Sequence, residues 1–95
     1  MFARVATFEG VDRDRIDAGL DQMRQEGGPP EGVPAKGFLL MLDRAAGKTV
    51  FVALFETEAD LATGSATLDA MSPPPDSGMG TRTSVETYEV PISML

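Results

Sequence analysis

Two stretches of this sequence break the alternation that a half-wetted sheet requires. Phe38-Leu39-Leu40-Met41-Leu42 and Val50-Phe51-Val52-Ala53-Leu54-Phe55 are apolar at every position. Side chains on a strand point alternately to its two faces, so such runs ask for burial on both. If one face of both strands stayed wet, about five large side chains would lose roughly 1.5–3 kcal/mol each, on the order of 10 kcal/mol in all. A small domain has a total stability of that size. Whatever this chain folds into, something must cover both sides of these strands.

The elements around them decide what is available. Residues 1–8 read as a strand, with Phe2, Val5, Thr7 and Phe8 as β-favouring members. Asp12 suits a helix N-cap, and Ile16, Leu20 and Met23 then recur on one helical face. Gly27-Gly28-Pro29-Pro30 stops that helix. The two apolar runs pair as a hairpin through Asp43-Arg44-Ala45-Ala46-Gly47-Lys48, with Gly47 suited to a left-handed position; the register is left open. Thr57-Glu58-Ala59-Asp60 resembles a capping box and opens a second helix carrying Leu61, Leu68 and Met71 on one face, with Gly64 and Ser65 allowing close approach to a sheet. Ser72-Pro73-Pro74-Pro75 ends it. A glycine-rich loop over residues 76–81, read as mobile, leads to a last strand over 83–92. The order β-α-β-β-α-β is the split βαβ, ferredoxin-like pattern of the α+β class, a four-stranded antiparallel sheet with both helices on one face. Residues 1–95 read as one such domain.

Two helices cover one face only. At 95 residues the chain is too small to leave the other bare without outside help. Without cysteine or histidine, disulfides, thiolate metal sites and the commonest zinc and haem ligands are excluded, so no metal and no cofactor is expected. A second copy packed face to face over the open sheet is the expected cover and the expected partner. The net charge of −7 repels phosphates and anionic lipid, so no nucleic acid and no membrane is expected. No apolar stretch spans a bilayer and no leader follows Met1; a cytoplasmic location is expected.

The residues with chemistry to offer are few. Tyr88 is the sole tyrosine, and a phenol can donate to a carbonyl or enolate oxygen. A strand tyrosine more often packs its ring and wets its hydroxyl. Arg4 lies on a largely apolar strand face, where it could anchor a carboxylate or phenolate; an ion pair with Glu86 or Glu89 is the plainer reading. Glu86 and Glu89 flank Tyr88, and one of them could serve as a base if buried, although strand glutamates are more often solvated. Phe51 and Phe55 complete the expected lining of an apolar ligand pocket. Asp12, Asp14, Asp17 and Asp21 match no calcium loop, and the serines have no histidine to activate them. The methionines read as core and gap filling.

Three segments carry a resemblance. The hairpin Gly37-Phe38-Leu39-Leu40-Met41-Leu42-Asp43-Arg44 with Gly47-Lys48, the step Leu54-Phe55-Glu56-Thr57-Glu58-Ala59-Asp60-Leu61 and the closing Val85-Glu86-Thr87-Tyr88-Glu89-Val90 resemble the dimeric α+β barrel superfamily, and within it the small antibiotic-biosynthesis-monooxygenase-like proteins. The resemblance implies two sheets facing each other across a homodimer, with ligands often held in clefts between sheet and helices. It implies chemistry as varied as cofactor-independent oxidation of aromatic polyketides, haem degradation and isomerisation. The missing histidine and tryptophan reject haem degradation, and the missing asparagine departs from the oxygenases. Two functions therefore stand: a protein that binds a small apolar or aromatic molecule and oxygenates it without a cofactor, or a non-catalytic sensing or assembly module.

Overall fold

The computed structural model describes residues 1–26, 32–71 and 78–94. The helix stops expected at residues 27–30 and 72–75 lie outside them. Six elements follow one another: β1 (Phe2–Glu9), α1 (Ile16–Glu26), β2 (Gly37–Asp43), β3 (Lys48–Phe55), α2 (Glu58–Asp69) and β4 (Thr81–Glu89). They build an antiparallel sheet in the order β2-β3-β1-β4. This is the ferredoxin-like α+β fold.

Local chemistry sets the element ends. Asp43 opens the hairpin turn by accepting the Ala46 N–H at 3.0 Å, and Gly47 closes it at φ +66°. Asp43 and Lys48 face each other across the hairpin, which fixes the register and with it the faces. The Thr57 hydroxyl accepts the Asp60 N–H at 3.1 Å, the capping half of the expected box. Asp12 takes the Asp14 N–H on its carboxylate and the Ile16 N–H on its carbonyl, so it caps the turn that leads into α1.

Both helices lie on one side. Beneath α1, Ala6, Phe8, Ile16 and Met79 form one buried cluster; beneath α2, Val33, Ala53 and Phe55 form the other. Gly64 is buried, and a Cβ there would overlap the Phe55 ring. Leu61 and Leu68 flank it. Three expectations are corrected here. Met71 lies beyond α2 and is exposed, because the helix has ended at Asp69. Within the glycine-rich loop, Met79 is a core residue at 3% exposure, and the Gly78 carbonyl accepts the Asp12 N–H; a loop read as mobile by composition is anchored there by an apolar side chain. The last strand runs from Thr81 to Glu89, not to Ile92; Pro91 has no N–H to donate to a ladder.

Candidate functional site

The pairing registers assign every strand residue to a face. On the helix side lie Phe2, Arg4, Ala6 and Phe8 of β1, with Phe51, Ala53 and Phe55 of β3 across from them. The opposite, open face is organised in rows. Tyr88, Ala3, Leu54 and Gly37 form the first; Glu86, Val5, Val52 and Leu39 the second; Ser84, Thr7, Val50 and Met41 the third. Glu9, Lys48 and Asp43 make a charged row at the hairpin end. The face is thus a polar stripe along β4, a floor of small side chains on β1, and an apolar flank on β3 and β2. Leu39 (53% exposed), Met41 (51%) and Tyr88 (50%) stand out of it.

The stripe contains a hydrogen-bonded pair. Tyr88 and Glu86 are two apart on a strand and share a face, and the Tyr88 hydroxyl donates to Glu86 Oε2. That bond, followed by desolvation, holds the phenol above its ordinary range. Tyr88 therefore keeps its proton across neutral pH and offers it toward a carboxylate. A ligand oxygen arriving at the pair would meet a donor and an acceptor side by side.

Arg4 is elsewhere. It lies on the helix side, 2% exposed, with its guanidinium 2.7 Å from Asp69 Oδ1 near the end of α2. The expected partners Glu86 and Glu89 are not used: Glu86 points away on the open face, and Asp69 comes from an element the strand pattern could not align. Arg82 approaches the same carboxylate at 3.9 Å and donates to the Leu68 and Asp69 carbonyls, giving α2 the C-terminal cation its own last turn lacks. The sheet therefore divides the residues the sequence offered. Tyr88 and Glu86 come together; Arg4, Phe51 and Phe55 lie on the other side, where Phe55 is fully buried and Phe51 packs its ring 5.0 Å from Phe38. One pocket cannot be lined by all five.

Sequence reasoning missed Ser84, Leu39 and Met41 as members of the face, because the register had to be known first. The signal for Ser84 was present in its i, i+2, i+4 spacing with Glu86 and Tyr88. Among the described residues no group of three or more acidic side chains converges as a metal site, and no helix is long and apolar enough to cross a membrane.

No family model matches the sequence, and no curated protein matches it. A solved structure does: a candidate antibiotic biosynthesis monooxygenase from Chloroflexus aurantiacus, with a TM-score of 0.57 over 99% of this chain and 95% of that one, at 6% identity. At that identity the likeness establishes a shared fold, the same one the strand order and helix placement describe.

Proposed function

We propose that two copies of this chain pair through their open sheet faces and that the enclosed space binds a small apolar or aromatic molecule, which the Tyr88–Glu86 pair helps to oxygenate without a cofactor. The carrying observation is the placement of that pair: a hydrogen-bonded polar group on the β4 edge of the open face shares that face with exposed Leu39 and Met41 on the opposite, β2 edge. Apolar area of this kind on one sheet face marks an interface. A pocket with an apolar lining and a few polar groups is the usual form of a small-molecule site. The likeness to a candidate monooxygenase supports the chemistry as fold-level analogy.

In this reading the substrate is an apolar or aromatic molecule with a ring CH2 made acidic by a nearby carbonyl. Glu86 accepts a proton from the ring carbon or hydroxyl, and Tyr88 donates a hydrogen bond to the oxyanion that forms. Molecular oxygen is the oxidant. A ring CH2 becomes C=O, one oxygen atom stays in the product, and the other leaves as water with the two hydrogens. The test is oxygen uptake with such a substrate under air. Tyr88→Phe and Glu86→Gln should each lower turnover, by about 10²–10⁴-fold for a group engaged in proton transfer. Unchanged turnover in both would remove the assignment.

A non-catalytic sensing or assembly module is the second reading. The packing beneath the helices favours it, since Ile16, Thr49, Ala53 and Phe55 are fully buried and fill that layer. Ligand retention by the dimer without oxygen uptake would select it.

A further inference from the structure

Two buried polar groups of this chain lack a hydrogen-bond partner at one and the same joint, where α2 crosses β1. Arg4 is 2% exposed, and its Nε bonds to nothing among the described residues. The Ser65 hydroxyl on α2 is buried and equally unpartnered there. Arg4 spends its Nη2 on Asp69 Oδ1, 2.7 Å away. Ser65 precedes Asp69 by four positions in α2, so the two share a helix face with their Cβ atoms about 5–6 Å apart. α2 runs from Gly64, against the Phe55 ring, to Asp69, whose carbonyl accepts from Arg82. Ser65 therefore lies one turn back from the carboxylate that Arg4 holds. On the same face of the sheet Thr87 stands across from Arg4 on the edge strand β4, and it is exposed. One unpartnered group rises from the strand below, the other comes from the helix above, and the edge beside them is open.

We propose that this joint holds a small monovalent anion, chloride or an ion of its size, with Arg4 Nε and the Ser65 hydroxyl as its buried donors and the Thr87 hydroxyl at its mouth. The hydrogen bonds call for an acceptor. A guanidinium N–H can only donate, and a hydroxyl can turn its proton the same way. Left unmade in a buried layer, such bonds are costly; made to an ionised acceptor, they are among the stronger ones. The charge calls for an anion. Arg4 and Arg82 share one carboxylate, Asp69, at 2.7 and 3.9 Å, which leaves the joint one positive charge in excess. A water molecule would satisfy the donors and leave that charge; an anion answers both. Size calls for a small one. A Cβ at Gly64 would already overlap the Phe55 ring, and Leu61 and Leu68 pack against the same cluster. The chain as a whole carries −7, so capture rests on these donors at close range and not on long-range attraction.

The test follows thermal unfolding of the whole chain in sodium chloride and in sodium gluconate at equal ionic strength, so that general screening cancels. Chloride should raise the melting temperature along a saturating curve, by several degrees over gluconate at about ten times its dissociation constant. Ser65→Ala should move the chloride midpoint up by about tenfold, the loss of one hydrogen bond to a charged group, and Arg4→Met should abolish the difference between the salts. Crystals grown in sodium bromide give a readout that needs no variant: an anomalous peak is expected between Arg4 Nε and Ser65 Oγ. Equal melting curves in the two salts overturn the proposal. So does a chloride effect that persists unchanged in either variant, or a water in place of bromide at the joint.

Discussion

Thr49 carries a hydroxyl that is fully buried with no hydrogen-bond partner among the described residues, in a row with Phe8 and Leu42 beneath the helices. A buried polar group without a partner is destabilising relative to hydrocarbon of the same shape, so Thr49→Val should stabilise the fold by about 1 kcal/mol, read as a raised melting temperature. Arg4 presents the opposite case. Its guanidinium is buried, its Nε has no partner among the described residues, and Asp69 supplies its carboxylate. Removing Asp69 strands that charge. Asp69→Ala should cost toward the low end of the roughly 3–5 kcal/mol typical of a broken buried pair, since Asp69 itself is half exposed. Arg4→Met removes the buried charge altogether and should be nearly neutral in denaturant titration. Equal losses in the two variants would show that the ion pair, rather than the stranded charge, sets the energy. Neither partner was legible from spacing: Arg4 and Asp69 lie 65 positions apart, and strand alternation says nothing about which helix end lies above.

At the scale of elements, the hairpin is clasped to the start of α1. Arg44 grips Asp17 at 2.6 Å, Arg13 donates to the Ala45 carbonyl, and the Val11 N–H donates to the Gly47 carbonyl. The Arg44 guanidinium, by hydrogen bond first and charge second, holds the Asp17 carboxyl below its ordinary value, and Arg44 is raised in return. A carboxyl depressed in the folded state contributes stability that is present above its unfolded pKa and lost as pH falls through the folded one. Asp17→Asn should therefore lower stability slightly from neutral pH to about pH 9, where the charged pair is present, and leave it little changed well below about pH 4, so that part of the acid-side loss disappears, a small effect for so exposed a pair. Urea titrations of both proteins at pH 3 and pH 7 would read it. The other element-scale joint is α2 on β3. Gly64→Ala pushes a methyl into the Phe55 ring, and overpacking of this kind costs about 1–3 kcal/mol. A Gly64→Ala protein as stable as the parent would mean that the ring has room to move.

For the whole molecule, the open face is the dominant fact. Leu39 and Met41 gain nothing from their own chain's fold that would justify two apolar residues at half exposure. In a two-fold pair each substitution acts twice, so Leu39→Asp should raise the dimer dissociation constant by on the order of 100-fold or more, from roughly 1.5–3 kcal/mol per buried side chain. Sedimentation across a concentration series reads this directly. Far-UV spectra should be unchanged, because Leu39 faces away from both core clusters. A monomer that is stable and soluble in its native form would leave the apolar face without an occupant and end the paired reading.

What the sequence determined by itself was local and periodic. The Thr57 cap, the Asp43 and Gly47 turn, the element order and the two non-alternating strands each follow from interactions within a few residues, so the order of the amino acids is enough to specify them. The strands also carried the demand for a second covering surface, because a run of apolar side chains must divide between two faces whatever the register. The tertiary structure alone decided which residue went to which face. A slip of one position in the hairpin would exchange Leu39 and Met41 with Leu40 and Leu42, and the sequence of the turn allows either. It alone decided that Arg4 turns to Asp69 rather than to Glu86 or Glu89, and that Met79 enters the core from a loop of glycines. Those outcomes depend on contacts between distant parts of the chain, whose ordering entropy is offset only when the whole sheet and its helices have formed.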